Sequence, residues 1–389
     1  MITMSNNQEK QAGVVSIFTV LFFMIFVSIV TVGFVKIIGD EQRQALNNDL
    51  SASALAAAQS GVEEGKRVLL YCKTRPNPSA EKAACDSALG STACNSISSN
   101  ATITGALDID SDADGSGIVS GNSSYQQRWT CLTIDPTTDN VDDVLVGNGD
   151  SEIIPLTGVG GFNAIQLSWH ATASDKEGIP AAYPAGTNRI SQPEWTNLGY
   201  PAAVRIEIIS HPAGSVNLST IDANTRTLVL FPSSLAAAPT SYDIAAADPR
   251  AADPNLRTSP SSPLPVRCST APYPAYACSI SLTVPASLPS TAPGSNSYYA
   301  RISAVYAKTH INLVLKNGAS TVDFNNVQPI VDVTGRTNDV FRRVKARVMF
   351  DSAFYIPNYA IESGQTICKD MLVTDRGGAG GTSTDSCNP

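Results

Sequence analysis

Four aspartates alternate along Asp108-Ile109-Asp110-Ser111-Asp112-Ala113-Asp114, and Gly115-Ser116-Gly117 follows at once. A hard cation such as Ca²⁺ takes six to eight oxygen ligands. Alternating carboxylates wrapped around a sharp turn can supply several of them. Counted from Asp110, carboxylates fall at positions one, three and five, and Gly115 falls at six. Position twelve is Gly121, so the bidentate glutamate of an EF-hand is missing. The nearby run Asp139 to Asp143 is a source for that group. Two readings stand: a calcium loop held by Asp110, Asp112 and Asp114, or a solvated acidic turn. Carboxylates this close repel without a counter-ion, which favours a weak Ca²⁺ site.

Eight cysteines come next: Cys72, Cys85, Cys94, Cys131, Cys268, Cys278, Cys368 and Cys387. None forms a Cys-x-x-Cys pair, and there are three histidines, His170, His211 and His310. Zinc-ligand spacing is therefore absent. An even count in a chain carried past a membrane reads as disulfides. Proximity pairs Cys268 with Cys278 and Cys368 with Cys387, leaving the first four to pair among themselves. The second bridge closes a tail of low apolar content that holds Gly377-Gly378-Ala379-Gly380-Gly381.

The chain has no phosphate-cradling P-loop, no Gly-x-Ser-x-Gly elbow and no His-Glu-x-x-His. The histidines sit far apart in or beside strand-like runs. The expectation is a protein that is not an enzyme. The formal net charge of −8 disfavours a general nucleic-acid binder. Between residues 101 and 152 stand ten acids and one base, Arg128, so this segment should lie at the surface.

The elements that position these groups begin with a helix. From Val14 to Val35 there are 22 residues without a charge or a proline, bounded by Lys10 and Lys36. At 1.5 Å per residue this run is ~33 Å long, enough to cross a bilayer core. A cleavable secretory signal has an apolar core of about 7–15 residues with its small-residue cut site close behind. Here the run is longer, and the nearest Ala-x-Ala pattern waits until Ala54–Ala58. A polar, helix-favouring stretch continues with no proline before Pro76. One helix over about 14–70 is predicted, with 14–35 transmembrane. Its distal half carries an inward stripe of Leu46, Leu50, Ala54, Ala57, Gly61, Val62, Val68 and Leu69. Ala57, Gly61 and Gly65 are small and four apart, so another backbone can come close.

Beyond it, 71–160 reads as an acidic, disulfide-containing loop region, 161–350 as an extracellular β domain and 351–389 as a C-terminal tail. Strand-like runs recur at Ala164–Thr172, Ala202–Ile209, Thr227–Phe231, Cys278–Val284, Tyr298–Tyr306, His310–Leu315 and Val340–Phe350. A further short strand is expected at Arg128–Ile134. Tyr306–His310 reads as a hairpin turn. Twelve of the 24 prolines lie between Pro232 and Pro293, which suggests a long surface excursion clipped by Cys268 and Cys278. In the last strand Arg343, Lys345 and Arg347 share one face, and Val344, Ala346 and Val348 the other. That basic face is either the polar outside of a half-buried strand or a surface for DNA or an acidic neighbour. The fold class is α+β: a long N-terminal transmembrane and amphipathic helix packed on an antiparallel β-sheet, with long loop insertions.

The N-terminus resembles type IV pilin-like proteins, above all PilX-type minor pilins. The matching features are a polar leader ending in Gly13, the apolar helix beginning at Val14, the charged Asp40-Glu41-Gln42-Arg43, and Ala56-Ala57-Ala58-Gln59-Ser60-Gly61 after it. About sixty residues carry the match. Phe18 stands where many pilins have a glutamate, a position at which PilX-type N-termini often depart as well. Gly335–Arg347 is similar to the last strands of pilin-like sheets. The resemblance implies a leader, 1–13, cut between Gly13 and Val14 by a prepilin peptidase. It implies a single-helix membrane location and then a place in an extracellular pilus or at the cell surface, acting in assembly and surface contact. Other pilin subunits and the pilus assembly platform are the implied partners. The alternative is a membrane-anchored adhesin or binding protein that never polymerises and keeps Met1–Gly13.

The acidic loop generates a measurement. Calcium that binds only the folded state raises stability with its concentration. Melting with millimolar calcium should give a higher midpoint than melting with chelator, and Asp112→Asn should shrink that difference. Identical midpoints leave the run as a solvated turn.

Overall fold

The computed structural model describes residues 12–109, 116–118, 127–146, 150–171, 192–211, 217–247, 264–273, 276–288 and 297–349. The expected calcium ligands Asp110, Asp112 and Asp114, the expected Cys368–Cys387 bridge and the tail 351–389 lie outside the described residues.

Three helices come first: α1 (Ala12–Lys73), α2 (Ala80–Ala88) and α3 (Ala101–Leu107). Then follow β1 (Gly117–Ile118), β2 (Arg128–Thr138), β3 (Val141–Leu145), β4 (Ser151–Pro155) and β5 (Phe162–Ala171). After α4 (Gln192–Asn197) come β6 (Ala203–His211), α5 (Leu218–Asn224), β7 (Arg226–Ser233) and β8 (Ser241–Asp243). The chain continues through β9 (Leu264–Tyr273), β10 (Tyr276–Leu288), β11 (Ser297–Val305), β12 (Thr309–Asn317) and β13 (Ser320–Val322). It ends in β14 (Phe324–Thr337) and β15 (Val340–Arg347). These elements are α+β with mostly antiparallel pairing. They divide into two compact units, one of residues 1–139 with 323–350 and one of 140–322 with 351–389.

In the first unit the distal half of α1 lies on a four-stranded sheet ordered β1-β2-β14-β15. All three pairings are antiparallel, with Val333 between Leu132 and Val344, and Gly335 between Trp129 and Arg342. Alternation along β14 turns Val331, Val333 and Gly335 toward the helix. The helix meets them with its small stripe: Ala54, Ala57, Ala58, Val62, Val68 and Leu69 are buried. A Cβ on Gly61 would sit 2.5 Å from Val333 Cγ1, and one on Gly65 would sit 2.5 Å from Val331 Cγ1. A Cβ on Gly335 would overlap the backbone itself, at Ala54 O and Ala58 N. Helix and strand therefore touch main chain to main chain, the close approach for which a strand glycine is kept.

The rest of this unit packs around that contact. Trp129, Leu132 and Ile134 of β2 join Ile97, Ile103, Cys85 and the helix residues in one core. Disulfides Cys72–Cys85 (2.04 Å) and Cys94–Cys131 (2.01 Å) tie α2 to α1 and the 94 loop to β2. Ser79 caps α2 by accepting from Lys82 N, and Asn100 caps α3 by accepting from Ile103 N. Arg67 donates to Leu107 O at 2.6 Å, satisfying a carbonyl at the C-terminus of α3. A two-residue turn joins β14 to β15, and its Asn338 takes the left-handed conformation (φ 52°) that asparagine tolerates.

The second unit is one 11-stranded sheet, ordered β13-β12-β5-β10-β9-β7-β6-β11-β4, with β3 on β12 and β8 on β10. Strand β9 joins its two halves. Leu264–Arg267 pair in parallel with β7, and Cys268 pairs antiparallel with Cys278 of β10. Those two cysteines are bonded, at 1.99 Å. Ile311, Leu313 and Leu315 alternate as buried residues in β12, as do Val204, Ile206 and Ile208 in β6. A satellite cluster surrounds Trp195, with Phe231 edge-on at 5.2 Å and Tyr200 edge-on at 5.3 Å.

Several expectations change. Leu46 is exposed, at 57%. The sheet begins to cover α1 only near Ser51, whose hydroxyl accepts from Arg342 Nε at 2.8 Å. Residues 71–160 are not merely loops, since α2, α3 and four strands lie within them. The boundary at 161 does not hold either. Residues 323–350 return to the helix because β14 pairs with β2. Within the proline-rich stretch the described residues form β9 and β10 in the middle of the sheet, and 248–263, 274–275 and 289–296 lie outside the described residues. Tyr306–His310 is no hairpin: β11 pairs with β6 and β4, whereas β12 pairs with β5, β3 and β13.

Gly335→Ala should destabilise the first unit by about 1–3 kcal/mol, the range for overpacking, because backbone and not a flexible side chain blocks the new methyl. Gly105→Ala in α3 meets nothing within 4 Å and should be neutral or slightly stabilising. Denaturant titration of both variants in detergent checks the contrast. Equal midpoints would refute the close contact.

Candidate functional site

The largest exposed feature among the described residues is the first third of α1. Residues 17–38 are exposed, with Phe18 at 70% and Phe22 at 72%. The best 18-residue window has a mean hydropathy of 2.6, and none of it is buried. The helix is thus long and apolar enough to cross a membrane. Fully burying one large apolar side chain gains about 1.5–3 kcal/mol. A run of some twenty such residues left in water would forgo tens of kcal/mol, so this surface requires an apolar surrounding.

Its polar atoms are already provided for. Ser28 Oγ donates to Met24 O and Thr31 Oγ1 to Val27 O, both at 2.8 Å. Such back-bonding satisfies the hydroxyls of Ser28 and Thr31 without water. Phe18, Phe22 and Phe26 share one face at four-residue spacing. Charge returns at Lys36 and then at Asp40, Glu41 and Arg43. The helix runs on unbroken through Gly33 and Gly39, where no neighbour stands within 4 Å of an added Cβ. Gly13 and Val14, the expected cleavage pair, lie in the helical backbone of its first turn.

Two acids of the run Asp139 to Asp143 have hydrogen-bond partners. Asp142 in β3 accepts from Tyr276 Oη at 3.2 Å, from Asn140 Nδ2 at 3.0 Å and from Asn312 Nδ2. Asp143 accepts from the Val144 N–H at 2.7 Å. Among the described residues no cluster of three or more His, Cys, Asp or Glu is set to hold a metal ion. The basic face of β15 forms as its alternation implies, with Arg343, Lys345 and Arg347 exposed. Arg343 is bound to Asp332 at 2.7 and 2.5 Å, and Arg347 to Gln328 at 3.0 Å.

Sequence reasoning missed one charged group. Glu207 on β6 is 1% exposed and is held by Arg205 at 2.7 Å and by Arg301 of β11 at 3.6 Å. The spacing of Arg205 and Glu207 puts both on one strand face. The third member stands 94 residues further on, and only strand register brings it there.

No protein-family model matches this chain, and comparisons with curated proteins and with solved structures return no match.

Burial raises the pKa of Asp143 above its ordinary 3.8; the Val144 N–H opposes this and the nearby Asp150 charge adds to it. A carboxyl with a raised folded pKa favours the folded state while protonated. That contribution is whole below the unfolded pKa and is lost as pH rises through the folded pKa. Asp143→Asn keeps an acceptor for Val144 and should raise the melting temperature at pH 7. The gain should vanish below the unfolded pKa. A gain that is independent of pH, or a loss at pH 7, would contradict the assignment.

Proposed function

We propose that this chain is a minor pilin-like structural subunit of a type IV pilus or related surface filament, working in assembly and surface contact and not in catalysis. One observation carries the reading: a single unbroken helix, Ala12–Lys73, is wholly exposed and apolar at its start and tucked by small residues onto an antiparallel sheet at its end. A helix of this kind can exchange one apolar surrounding for another. Held in a bilayer before assembly, it can be surrounded by the same helices of neighbouring subunits afterwards. The short leader ending in Gly13 and the charged Asp40–Arg43 segment support this order of events. A prepilin peptidase, other pilin subunits and the assembly platform are the partners it requires. The three disulfides among the described cysteines suit an oxidising compartment outside the cytoplasm.

The rival is a permanently anchored surface adhesin. It would use the same helix and the same sheets, and it differs in keeping its leader. Mass spectrometry of the protein purified from its own cell separates them. A chain starting at Val14, recovered with sheared surface filaments, is the expected result. An intact Met1–Gly13 in a membrane fraction would overturn the proposal and leave the anchor. Phe26→Arg, at about 2.5–3.5 kcal/mol for a cation at the middle of a spanning helix, should reduce membrane insertion in either case.

A further inference from the structure

We infer that α1 carries a hinge at Asn47-Asn48-Asp49, about which the sheet-bearing part of the first unit swings relative to the apolar third of the helix. The inference asks only that the apolar third be held in an apolar surrounding. It stands whether the chain polymerises or stays anchored.

Two parts of α1 are held from outside the helix. Residues 17–38 are apolar and exposed, so a bilayer or like helices must surround them. From Ser51 onward the four-stranded sheet takes over: Arg342 Nε donates to Ser51 Oγ, and Ala54, Ala57 and Ala58 are fully buried. Asp40 to Asp49 lies between these two supports. Every residue of this stretch is exposed, Leu46 at 57% included. At 1.5 Å per residue it is ~15 Å long, close to three turns. Among the described residues none of its side chains forms a hydrogen bond or an ion pair. The distal turns, by contrast, are braced by Glu63–Lys66 at 2.6 Å and Glu64–Arg67 at 2.8 Å.

What holds these turns is their own backbone ladder and intrinsic propensity, and the propensity fails at the ends. Gly39, with no neighbour within 4 Å of an added Cβ, precedes the stretch. Asn47, Asn48 and Asp49 close it. Glycine is the least favourable helix residue after proline. Asn and Asp rank low because their short polar side chains compete for nearby backbone groups. Residues 41–46 are good helix formers, so the weakness gathers in three consecutive positions beside the first sheet contact. No oppositely charged pair four residues apart lies within 40–49 to compensate. Opening there uncovers no buried apolar side chain, and the freed N–H and C=O groups meet water. Local opening is easiest where apolar contacts are few and backbone bonds are exposed. Unwinding at 47–49 therefore leaves both flanking parts intact. One end of α1 must fit a bilayer or a helical bundle and the other must carry a sheet, and the hinge frees the direction of one from that of the other.

The test uses the full chain in detergent micelles. Hydrogen exchange read by mass spectrometry should show the amides of 44–50 exchanging at least about a hundredfold faster than those of 62–69. Spin labels on unnatural keto side chains at Phe34 and Gln59, both exposed, would lie ~38 Å apart on a rigid helix. Double electron–electron resonance should instead give a broad distance distribution. Asn47→Ala, Asn48→Ala and Asp49→Ala together should slow exchange at 44–50 by about tenfold, through the helix propensity gained at three positions. The same substitutions should narrow the distribution and leave the exchange of 62–69 unchanged. Ala45→Gly should move both readouts the opposite way, which keeps the test open should the triple variant fail to fold. Uniform protection from 40 to 69, a narrow distribution in the unaltered chain, or exchange at 44–50 that ignores the substitutions would each overturn the hinge.

Discussion

Everything in the first unit hangs on the contact between the backbone of the helix at Ala54–Ala58 and Gly335 of β14. A helix on a sheet is usually held off by a layer of side chains. Here the layer is reduced to alanines, glycines and two valines, so the surfaces meet at main-chain distance. Interiors pack as densely as organic crystals, and a methyl group added at the closest point has nowhere to go. The contact also fixes register. If β14 slipped by one residue, Asp332 and Thr334 would face the helix and Val333 would face water. The chain must bring residues separated by about 280 positions together before this unit has a core.

The covalent clips fall where the apolar content is thin. Cys72–Cys85 and Cys94–Cys131 bracket α2 and α3, short helices with few buried side chains, and loops of 13 and 37 residues are closed by them. Cross-links of this kind act chiefly on the unfolded chain, at about 3 kcal/mol for a loop near fifteen residues. The Cys268–Cys278 bridge differs in place, because it joins directly paired residues in the middle of a sheet. There the strand that changes partners, from β7 to β10, is secured at the point of change.

Function in this reading divides along the chain. The exposed apolar helix needs an apolar surrounding and has little means of specifying one, since its surface is mostly Val, Ile, Leu and Phe and the hydroxyls of Ser28 and Thr31 are turned back onto helix carbonyls. Specific contact must come from the sheets, where charges and hydroxyls are held in register. A membrane and a ring of like helices are equivalent solvents for the first third of α1. The buried Arg–Glu–Arg group is its opposite: costly to bury, and formed only where strand register brings Arg205, Glu207 and Arg301 together.

The long helix was legible in the residues because its signals are local: 22 uncharged positions, no proline before Pro76, and a small-residue stripe at helical spacing. Most strands were legible for the same reason, through short Val, Ile and Tyr runs bounded by turn residues. The pairing of Cys268 with Cys278 followed from their closeness in sequence. Strand partners were not legible. The three residues Tyr306, Ala307 and Lys308 look like a hairpin loop by length and composition, yet they join strands six places apart in the sheet. Pro265, Pro272 and Pro285, three of the prolines that suggested a loop, stand within β9 and β10. Leu46 shows the limit in miniature. Its spacing matches that of Ala54 and Ala57, but periodicity states which face is apolar and not how far the opposing sheet extends. Gly335 and the meeting of Glu207 with Arg301 belong to the same class. Each depends on which distant residue stands opposite, and that is decided by sheet register, through contacts a single stretch of sequence cannot contain.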